Sequence, residues 1–259
     1  MRKIHIQKPH QKTLKTAASL QKKKYRDIEK KFLIEGILPL EEAVRSNYRI
    51  TEIFFSHDVL AKPGVTDLLL SAEIKHKTVC YEISDSEMKK ISCEKTPQGI
   101  AAVAEKKTFT EKDLNGNILL LDKIRDPGNA GTLFRIAHWF GLGGIVMINE
   151  SVDVCNPKTV RASMGSVFHI PYLEVDELPE CLGKKRTILL SRAHGGNDIR
   201  DIDKEQLSPF VLVIGNESRG ISAKFTRYSY LDISLPSLGD AESLNAATAA
   251  AAILSKLLY

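Results

Sequence analysis

The hydrophobic pattern becomes that of a folded protein at Phe32 and then alternates between strand-like and helix-like segments. Short apolar runs predict strands, and segments with proline or acidic residues in their first turn predict helices. The predicted strands are Ile53–Phe55, Thr78–Ile83 and Ile100–Ala104. The predicted helices are Pro39–Val44, Thr66–Ala72 and a helix running through Ile91 that Ser84 caps, with Glu87 at the capping-box position. This alternation over about 75 residues indicates a small α/β sandwich.

The second half of the chain contains five apolar runs that are typical of strands buried on both faces. These runs are Ile118–Asp122, Gly144–Ile148, Thr187–Ser191, Phe210–Ile214 and Leu231–Leu235. Helical stretches separate them, so we expect a mostly parallel sheet with helices on both faces. Ligands of such sheets bind at the carboxyl ends of the strands, where this sequence also places its unusual residues.

Composition narrows the class of protein further. The 259 residues are 43% hydrophobic and 27% charged, with a mean hydropathy of −0.15, which excludes disordered, collagen-like and membrane-spanning chains. The four cysteines show no CxxC pair or metal-ligand spacing, so we expect reduced thiols, no disulfide framework and no metal. No apolar leader opens the chain and no run approaches about 18 apolar residues, which favours a soluble cytoplasmic protein.

The net charge of +5 is concentrated in one part of the chain. Residues 1–31 contain 11 Lys and Arg against two acids, a charge of +9, whereas residues 32–115 carry −3 and residues 116–259 carry −1. A basic arm on a near-neutral body favours a polyanionic partner, with nucleic acid ahead of a membrane because the arm lacks an apolar face. A solvated, frayed terminus explains the charge equally well.

Three polar segments follow predicted strands and could carry chemistry. In the first, Asp126–Arg135, two glycines permit a tight turn, and Asn129 could cap the helix that runs to Phe140. The apolar stripe of that helix places Arg135 on its outer face, where it can meet a phosphate, a carboxylate or another subunit. Spacing alone favours a plain helix cap and a solvated arginine.

The other two segments come after later strands. In Ile214–Gly220, Gly215 permits close approach of the backbone to a ligand, and Glu217 could accept hydrogen bonds from loop amides. After the last strand, the final helix opens with Ser243 and Asn245 in its first turn, where free backbone amides favour an anionic group. Taken singly, these segments are as well explained by a strand-to-helix connection and an ordinary N-cap.

Together and in this order, the three segments resemble motifs 1, 2 and 3 of the SpoU/TrmH-type RNA ribose 2′-O-methyltransferases of the SPOUT superfamily. The matching positions are Asn129-x-Gly131-x-x-x-Arg135, Gly215-x-Glu217-x-x-Gly220 and Leu235-Pro236…Ser243-Leu244-Asn245. Ala162–Ser166, followed by Pro171, also resembles the small-residue helix start of that family. The resemblance covers residues 116–259, with an alanine run after Asn245 where relatives often carry Val-Ser.

The resemblance implies an α/β chain of two domains. Upstream, Phe32–Gly36 and Pro97–Ile100 resemble the L30e-like RNA-binding domain that precedes the catalytic domain in many members. The catalytic domain of the family combines a mostly parallel sheet with a deep C-terminal trefoil knot, an exception to the rule that chains do not thread loops. Members are homodimers, with the active site near the subunit interface. The expected parts are a basic arm at 1–31, an L30e-like domain at 32–105, a linker at 106–116 and a SPOUT methyltransferase domain at 117–259.

The resemblance also implies a cofactor, S-adenosylmethionine, held in the knot largely by backbone groups, with no metal required. By position, the cofactor-binding residues are Ser191, Arg192, Ala193, Gly215, Leu235 and Leu244. The catalytic residues are Arg135, Asn129, Glu217, Ser243 and Asn245. Arg135 would help remove the proton of the ribose hydroxyl, as an unusual base or through an adjacent phosphate. The two asparagines and the serine would position the ribose and Arg135, and Glu217 would fix the site by accepting hydrogen bonds.

The function that follows is methylation of a ribose 2′-hydroxyl, with ribosomal RNA favoured over tRNA because of the upstream RNA-binding domain. Two other classes stay open. A non-catalytic RNA-binding or ribosome-assembly protein could keep the same fold, although the intact motif set argues against it. A small-molecule α/β enzyme would show no RNA affinity. Binding of S-adenosylmethionine and of RNA distinguishes the three.

Overall fold

A computed structural model describes residues 4–203, 207, 209–216 and 218–259. The described chain divides into two compact units. The first contains residues up to Thr108 together with Asp153–His169, and the second contains Phe109–Val152 and Ile170–Tyr259. The division after Thr108 falls inside the linker expected at 106–116. Among the described residues the helices are α1 (Gln11–Ser19), α2 (Lys23–Glu29), α3 (Ile37–Arg45), α4 (Val65–His76), α5 (Asp85–Ile91), α6 (Pro127–Trp139), α7 (Pro157–Ala162), α8 (Glu180–Gly183) and α9 (Ala246–Leu258).

The first unit is built on a mixed sheet. Its strands, among the described residues, are β1 (Ile6–Gln7), β2 (Lys31–Glu35), β3 (Ile50–Phe55), β4 (Val79–Glu82) and β5 (Ile100–Glu105). Their order across the sheet is β1-β4-β3-β5-β2, with β1, β4 and β3 parallel and β5 antiparallel to both of its neighbours. The three strands predicted for this region are therefore present, and Ser84 and Glu87 form the predicted capping box at the start of α5.

The basic segment at residues 4–31, expected as a separate arm, is folded into the first unit. Strand β1 pairs with β4, and α1 packs against α5. Ala17 and Leu20 are buried, and Arg26 is only 2% exposed, whereas Lys22–Lys24 are exposed. A few small and apolar residues, which a count of charges overlooks, anchor the segment, so its positive charge lies on a folded surface.

A later segment of the chain, Asp153–His169, also belongs to the first unit, although it lies between the second and third strands of the second unit in sequence. Helix α7 in this segment packs against β2. Phe168 stacks with Phe32 at a ring-centroid distance of 6.3 Å. The core of the first unit is therefore completed by residues from far along the chain, with Phe168 following Phe32 by 136 positions, which the sequence did not predict.

A buried ion pair joins the basic segment to this later segment. Arg26 donates from Nε and Nη2 to Oδ2 of Asp153 at 2.9 and 2.7 Å, and its Nη1 donates to the carbonyl oxygens of Leu20 and Gln21. The two side chains are 3% and 4% exposed. Charges this deeply buried are tolerated only when they are paired and hydrogen-bonded, so each residue depends on the other.

The second unit contains a parallel sheet that buries its central strands on both faces. Its described strands are β6 (Ile118–Asp122), β7 (Gly144–Ile148), β8 (Tyr172–Glu174), β9 (Thr187–Arg192), β10 (Asn197–Asp198), β11 (Phe210–Ile214) and β12 (Tyr230–Ser234). Their order is β10-β12-β9-β11-β6-β7-β8, and every pairing is parallel. All five predicted strands are present, and their carboxyl ends share one edge of the sheet.

One predicted helix start is wrong. Ala162–Ser166 resembles a helix start, but α7 ends at Ala162, and a 3-10 turn follows at Ser166–Phe168. Gly165 has a φ of +89°, and a Cβ added there would lie 2.4 Å from Cβ of Glu42. Close packing and the left-handed backbone both require glycine at position 165. A left-handed residue of this kind ends a helix and does not start one.

The four cysteines are free thiols. Burial raises the pKa of the Cys80 thiol to about 11, so this side chain stays protonated and unreactive at neutral pH. Within the described ranges, no helix is both long and apolar enough to cross a membrane. The same residues contain no group of three or more His, Cys, Asp or Glu side chains placed to hold a metal ion.

We expect Arg26→Met to lower the free energy of unfolding by about 3 kcal/mol, because Asp153 would be left charged and buried without the cation it pairs with. Urea-induced unfolding followed by circular dichroism measures the change. Arg45→Ala is the control, since Arg45 pairs with Glu42 on the surface and its loss should cost less than about 0.5 kcal/mol. Equal effects of the two substitutions would contradict a structural role for the buried pair.

Candidate functional site

Two of the predicted site segments meet directly at the carboxyl edge of the second sheet. Asn245 Nδ2 donates to Oδ1 of Asn129 at 3.0 Å, joining residues 116 positions apart. Asn129 lies in the first turn of α6, which follows β6, and Asn245 lies at the start of α9, which follows β12. The contact therefore brings the first and third polar segments of the sequence into one site.

The structure changes the expected roles of these residues at their helix ends. Asp126, not Asn129, caps α6, since its Oδ1 accepts a hydrogen bond from the Asn129 backbone N–H at 2.8 Å. Helix α9 begins at Ala246 with Asn245 as its cap, so Ser243 and Leu244 precede the helix. The side chain of Asn129 is thereby available to Asn245 instead of being used as a cap.

A cavity of about 330 Å³ lies beside this contact at the same edge of the sheet. All six residues predicted to bind the cofactor line it, and so does Ser243. Its lining is otherwise mostly small or apolar and includes Ile214, Ala246 and Ile253. A cavity of this size, with an apolar wall and a few polar groups, is typical of a small-molecule site. The predicted cofactor residues are Ser191, Arg192, Ala193, Gly215, Leu235 and Leu244.

Hydrogen bonds fix the walls of the cavity. Arg192 Nε donates to Oδ1 of Asp232 at 2.6 Å, which joins neighbouring strands β9 and β12, and both side chains are about a third exposed. His194 Nε2 lies 3.0 Å from the carbonyl oxygen of Glu242. The loop that follows β9 is thus tied to the loop that precedes α9, and Arg192 is held by its carboxylate partner.

Gly215 is required by a backbone crossing at the floor of the cavity. A Cβ added at this position would lie 2.5 Å from the carbonyl carbon of Gly220. The two ends of this loop are paired, with Asn216 N–H donating to Gly220 O at 3.1 Å and Gly220 N–H donating to Asn216 O at 2.8 Å. Both glycines line the cavity. Any other residue at 215 would push the loop open.

The remaining predicted catalytic residues are placed as follows. Arg135 is exposed on α6, with Leu133 buried on the opposite side, as the apolar stripe predicted. Glu217 lies outside the described residues. The structure therefore brings together Asn129, Ser243 and Asn245, and leaves Arg135 on the outer face of the helix that carries Asn129.

A larger cavity, of about 1080 Å³, lies at the opposite edge of the same sheet, at the amino ends of β9 and β12. Its basic residues are Lys184, Lys185 and Arg186. Arg186 already donates to the carbonyl oxygen of Gly116 at 2.8 Å, and desolvation lowers the pKa of its guanidinium. Ligands of parallel sheets bind at the carboxyl ends of the strands. The cavity at that edge is therefore the better candidate for the functional site, although it is the smaller of the two.

Sequence reasoning missed several residues that lie at the site or next to it. His194, Glu242 and Ile253 line the cavity but belong to no recognised motif. Asp122 ends an otherwise apolar strand and is only 1% exposed. A charged residue closing a buried strand is a signal that could have been noticed, whereas the cavity-lining positions give no local signal.

Comparison with known families and proteins gives consistent results. The SpoU rRNA Methylase family matches residues 116–255, and the MRM3-like substrate binding domain matches residues 11–102. The 23S rRNA (guanosine(2553)-2'-O)-methyltransferase RlmP of Bacillus subtilis (strain 168) is 32% identical, over 97% of this chain and 98% of its own. The 23S rRNA (uridine(2479)-2'-O)-methyltransferase of Streptomyces viridochromogenes is 28% identical, over 86% of this chain and 80% of its own.

Solved structures are similar over nearly the whole chain. The crystal structure of an AdoMet-bound rRNA methyltransferase from Sinorhizobium meliloti superimposes with a TM-score of 0.83 at 26% identity, covering 98% of this chain and 97% of that one. AdoMet is S-adenosylmethionine. The fold of both units is thus shared with an enzyme that has been crystallised with this cofactor.

We expect Asn245→Ala to destabilise the protein by about 1 kcal/mol more than Asn129→Ala. Both substitutions remove the hydrogen bond between the two asparagines, but only Asn245→Ala also removes the cap of α9, which accepts from the N–H groups of Ala247 and Thr248. Urea-induced unfolding of the two variants gives the difference. Equal losses would show that the cap contributes nothing to stability.

Proposed function

Because the chain belongs to the SpoU rRNA methylase family, which matches residues 116–255, we propose that it transfers a methyl group from S-adenosylmethionine to a ribose 2′-hydroxyl of ribosomal RNA. The observation that carries this proposal is the cavity at the carboxyl edge of the second sheet, lined by all six expected cofactor residues and adjoined by the Asn129–Asn245 contact. Relatives named as 23S rRNA 2′-O-methyltransferases support ribosomal RNA as the substrate class.

The residues of the cavity fit the cofactor. Its volume of about 330 Å³ suits a molecule of this size, and leucine and isoleucine side chains offer apolar contact for an adenine ring. Gly215 and Gly220 line the cavity with backbone alone, because neither has a side chain. When bound, S-adenosylmethionine supplies a methyl group already activated by the positive sulfonium.

The chain's own residues then have to orient the ribose and remove its hydroxyl proton, since the methyl group needs no further activation. Asn129 and Asn245 hold each other in a fixed geometry, which suits them to orient the sugar. Arg135 extends from the same helix as Asn129 and would hold a phosphate beside the reacting ribose or stabilise the charge that develops on the 2′-oxygen. An arginine is normally protonated, so electrostatic stabilisation is the simpler role.

The first unit supplies the RNA-binding surface in this proposal. Residues 11–102 match the MRM3-like substrate binding domain, which is consistent with the L30e-like fold expected for 32–105. Exposed lysines of α2 and of the turn before it add positive charge to this unit. Helix α2 is held to the core by Arg26, so that this charge sits at a defined place on the unit.

Two finer features of the family are also part of the proposal. We propose a trefoil knot in the C-terminal part of the second unit, supported by the strand order, in which β12 inserts between β9 and β10. We further propose a homodimer formed through α6 and α9. Trp139 at the end of α6 and Tyr259 directly after α9 are 80% and 82% exposed. The Tyr259 ring lies 6.0 Å from that of Phe140, the residue after Trp139, and exposed apolar patches of this kind mark interaction surfaces.

We expect Arg135→Ala to reduce kcat for methylation of a 23S rRNA transcript by at least about a hundredfold while leaving the Kd for S-adenosylmethionine within about twofold of wild type. Incorporation of labelled methyl groups and isothermal titration calorimetry measure the two quantities. Arg45→Ala, which removes an exposed guanidinium from the first unit, should leave kcat unchanged. Full activity in Arg135→Ala would exclude Arg135 from catalysis, and methylation of tRNA alone would exclude ribosomal RNA as the substrate.

We expect Lys23→Gln/Lys24→Gln to reduce the slope of log K for RNA binding against log salt concentration by roughly 1.4–1.8, if both lysines contact phosphates. Filter binding at several salt concentrations gives the slope. Deleting residues 1–30 would be a poor test, because Ala17, Leu20 and Arg26 are buried. The control is Lys184→Gln/Lys185→Gln, which removes two exposed charges from the second unit. Identical slopes in wild type and Lys23→Gln/Lys24→Gln would remove these lysines from the RNA-binding surface.

A further inference from the structure

A buried carboxylate lies at the carboxyl end of β6, next to the proposed site but outside it. Asp122 is 1% exposed. Its Oδ1 accepts from Asn149 Nδ2 and its Oδ2 accepts from the Ser222 backbone N–H, both at 2.6 Å. A buried carboxylate is costly unless such hydrogen bonds satisfy it. Asp122 therefore ties two loops to the end of its own strand, β6. One loop follows β7 and the other follows β11.

Asn149 is shaped to serve as one of these partners. It is the first residue after β7 and has a φ of +54°, a left-handed conformation that asparagine tolerates better than most residues. Besides its bond to Asp122, its amide nitrogen lies 3.3 Å from Ser222 Oγ, and its Oδ1 accepts from Lys224 Nζ at 2.8 Å. The donor and acceptor atoms of the side chain are thus all used, in one orientation.

The other partner, Ser222, ends the loop that forms the floor of the cavity. This loop, Gly215–Ser222, begins after β11, and its first part is closed by the pairing of Asn216 with Gly220. Asn216 Nδ2 donates to the carbonyl oxygen of Lys123 at 3.1 Å. The loop is therefore fastened at both ends to consecutive residues at the end of β6, Asp122 and Lys123.

We propose that Asp122 is a positioning residue for cofactor binding, and this proposal rests on the function proposed above. Among the described residues, Ile214, Gly215 and Gly220 line the cavity, but Asp122 does not. Asp122 acts through Ser222 and Asn149. Together these hydrogen bonds hold the loop in the position in which Gly215 and Gly220 line the cofactor cavity. Loss of the carboxylate frees one end of the loop, which then has to be ordered when the cofactor binds.

The hydrogen-bond pattern allows a test by exchange of the two side chains. Asp122→Asn places an amide N–H₂ against the amide N–H₂ of Asn149, and Asn149→Asp places one carboxylate against another. In Asp122→Asn/Asn149→Asp the complementarity returns. The amide at position 122 donates to position 149 and accepts from Ser222 N–H, while the carboxylate at 149 accepts from Lys224 and from the Ser222 hydroxyl.

Calorimetric titration with S-adenosylhomocysteine is the main measurement, alongside the KM for S-adenosylmethionine and kcat on an RNA transcript. Each single exchange should raise Kd by about tenfold or more, the size expected when a hydrogen bond to a charged group is lost. The double exchange should return Kd to within about threefold of wild type. The KM should rise in the single variants while kcat at saturating cofactor falls by less than about threefold.

Two further variants separate positioning from stability. Asn149→Gly suits the left-handed backbone, removes the amide donor and should fold, and we expect it to raise Kd by at least fivefold. Thr110→Ala removes a capping box elsewhere in the second unit and should lower the urea midpoint without changing Kd.

If the single exchanges and Asn149→Gly lose stability but bind with unchanged Kd, Asp122 is structural only and the positioning role is overturned. Failure of the double exchange to restore binding, when both singles weaken it, would also overturn the role. Absence of binding by the wild-type protein would instead overturn the proposed function, and the positioning role with it.

Discussion

The parallel direction of every strand in the second sheet is the constraint on which the site depends. Parallel neighbours require a crossover between strands, so each strand ends at the same edge and delivers its following loop there. Asn129 and Asn245, which are 116 positions apart, can exchange a hydrogen bond only because β6 and β12 end at this edge. The cavity walls, the cap of α9 and the loop that is hydrogen-bonded to Asp122 all lie at this same edge, because the strands that lead into them are parallel.

Local pattern was sufficient to predict the buried strands. The runs Ile118–Asp122, Gly144–Ile148 and Phe210–Ile214 match β6, β7 and β11, because continuous apolar character is itself the requirement for a strand covered on both faces. Pairings between distant residues carry no such local signal. Asp122 and Asn149 are each visible as polar residues after apolar ones, but nothing near either position in the sequence indicates that they meet.

The basic N-terminal segment shows a different limit of sequence reasoning. Charge density predicted a separate basic arm, because residues 1–31 contain 11 Lys and Arg against two acids. Three buried side chains, Ala17, Leu20 and Arg26, instead anchor the segment to the first unit. Arg26 contributes to the positive charge of the segment, yet it is buried and its carboxylate partner, Asp153, lies far along the chain. The net charge of a segment indicates which partners it attracts. It does not indicate which of the charged side chains are exposed and which are buried.

The pairing of Arg26 with Asp153 also sets an order of events during synthesis. The two residues are 127 positions apart, and translation at roughly 5–20 residues per second separates their appearance by about 6–25 s. Until the later segment emerges, the first unit has an unpaired guanidinium and an uncovered β2. The amino-terminal half of the chain therefore cannot reach its final state as it leaves the ribosome, and its completion is coupled to synthesis of the segment that follows β7.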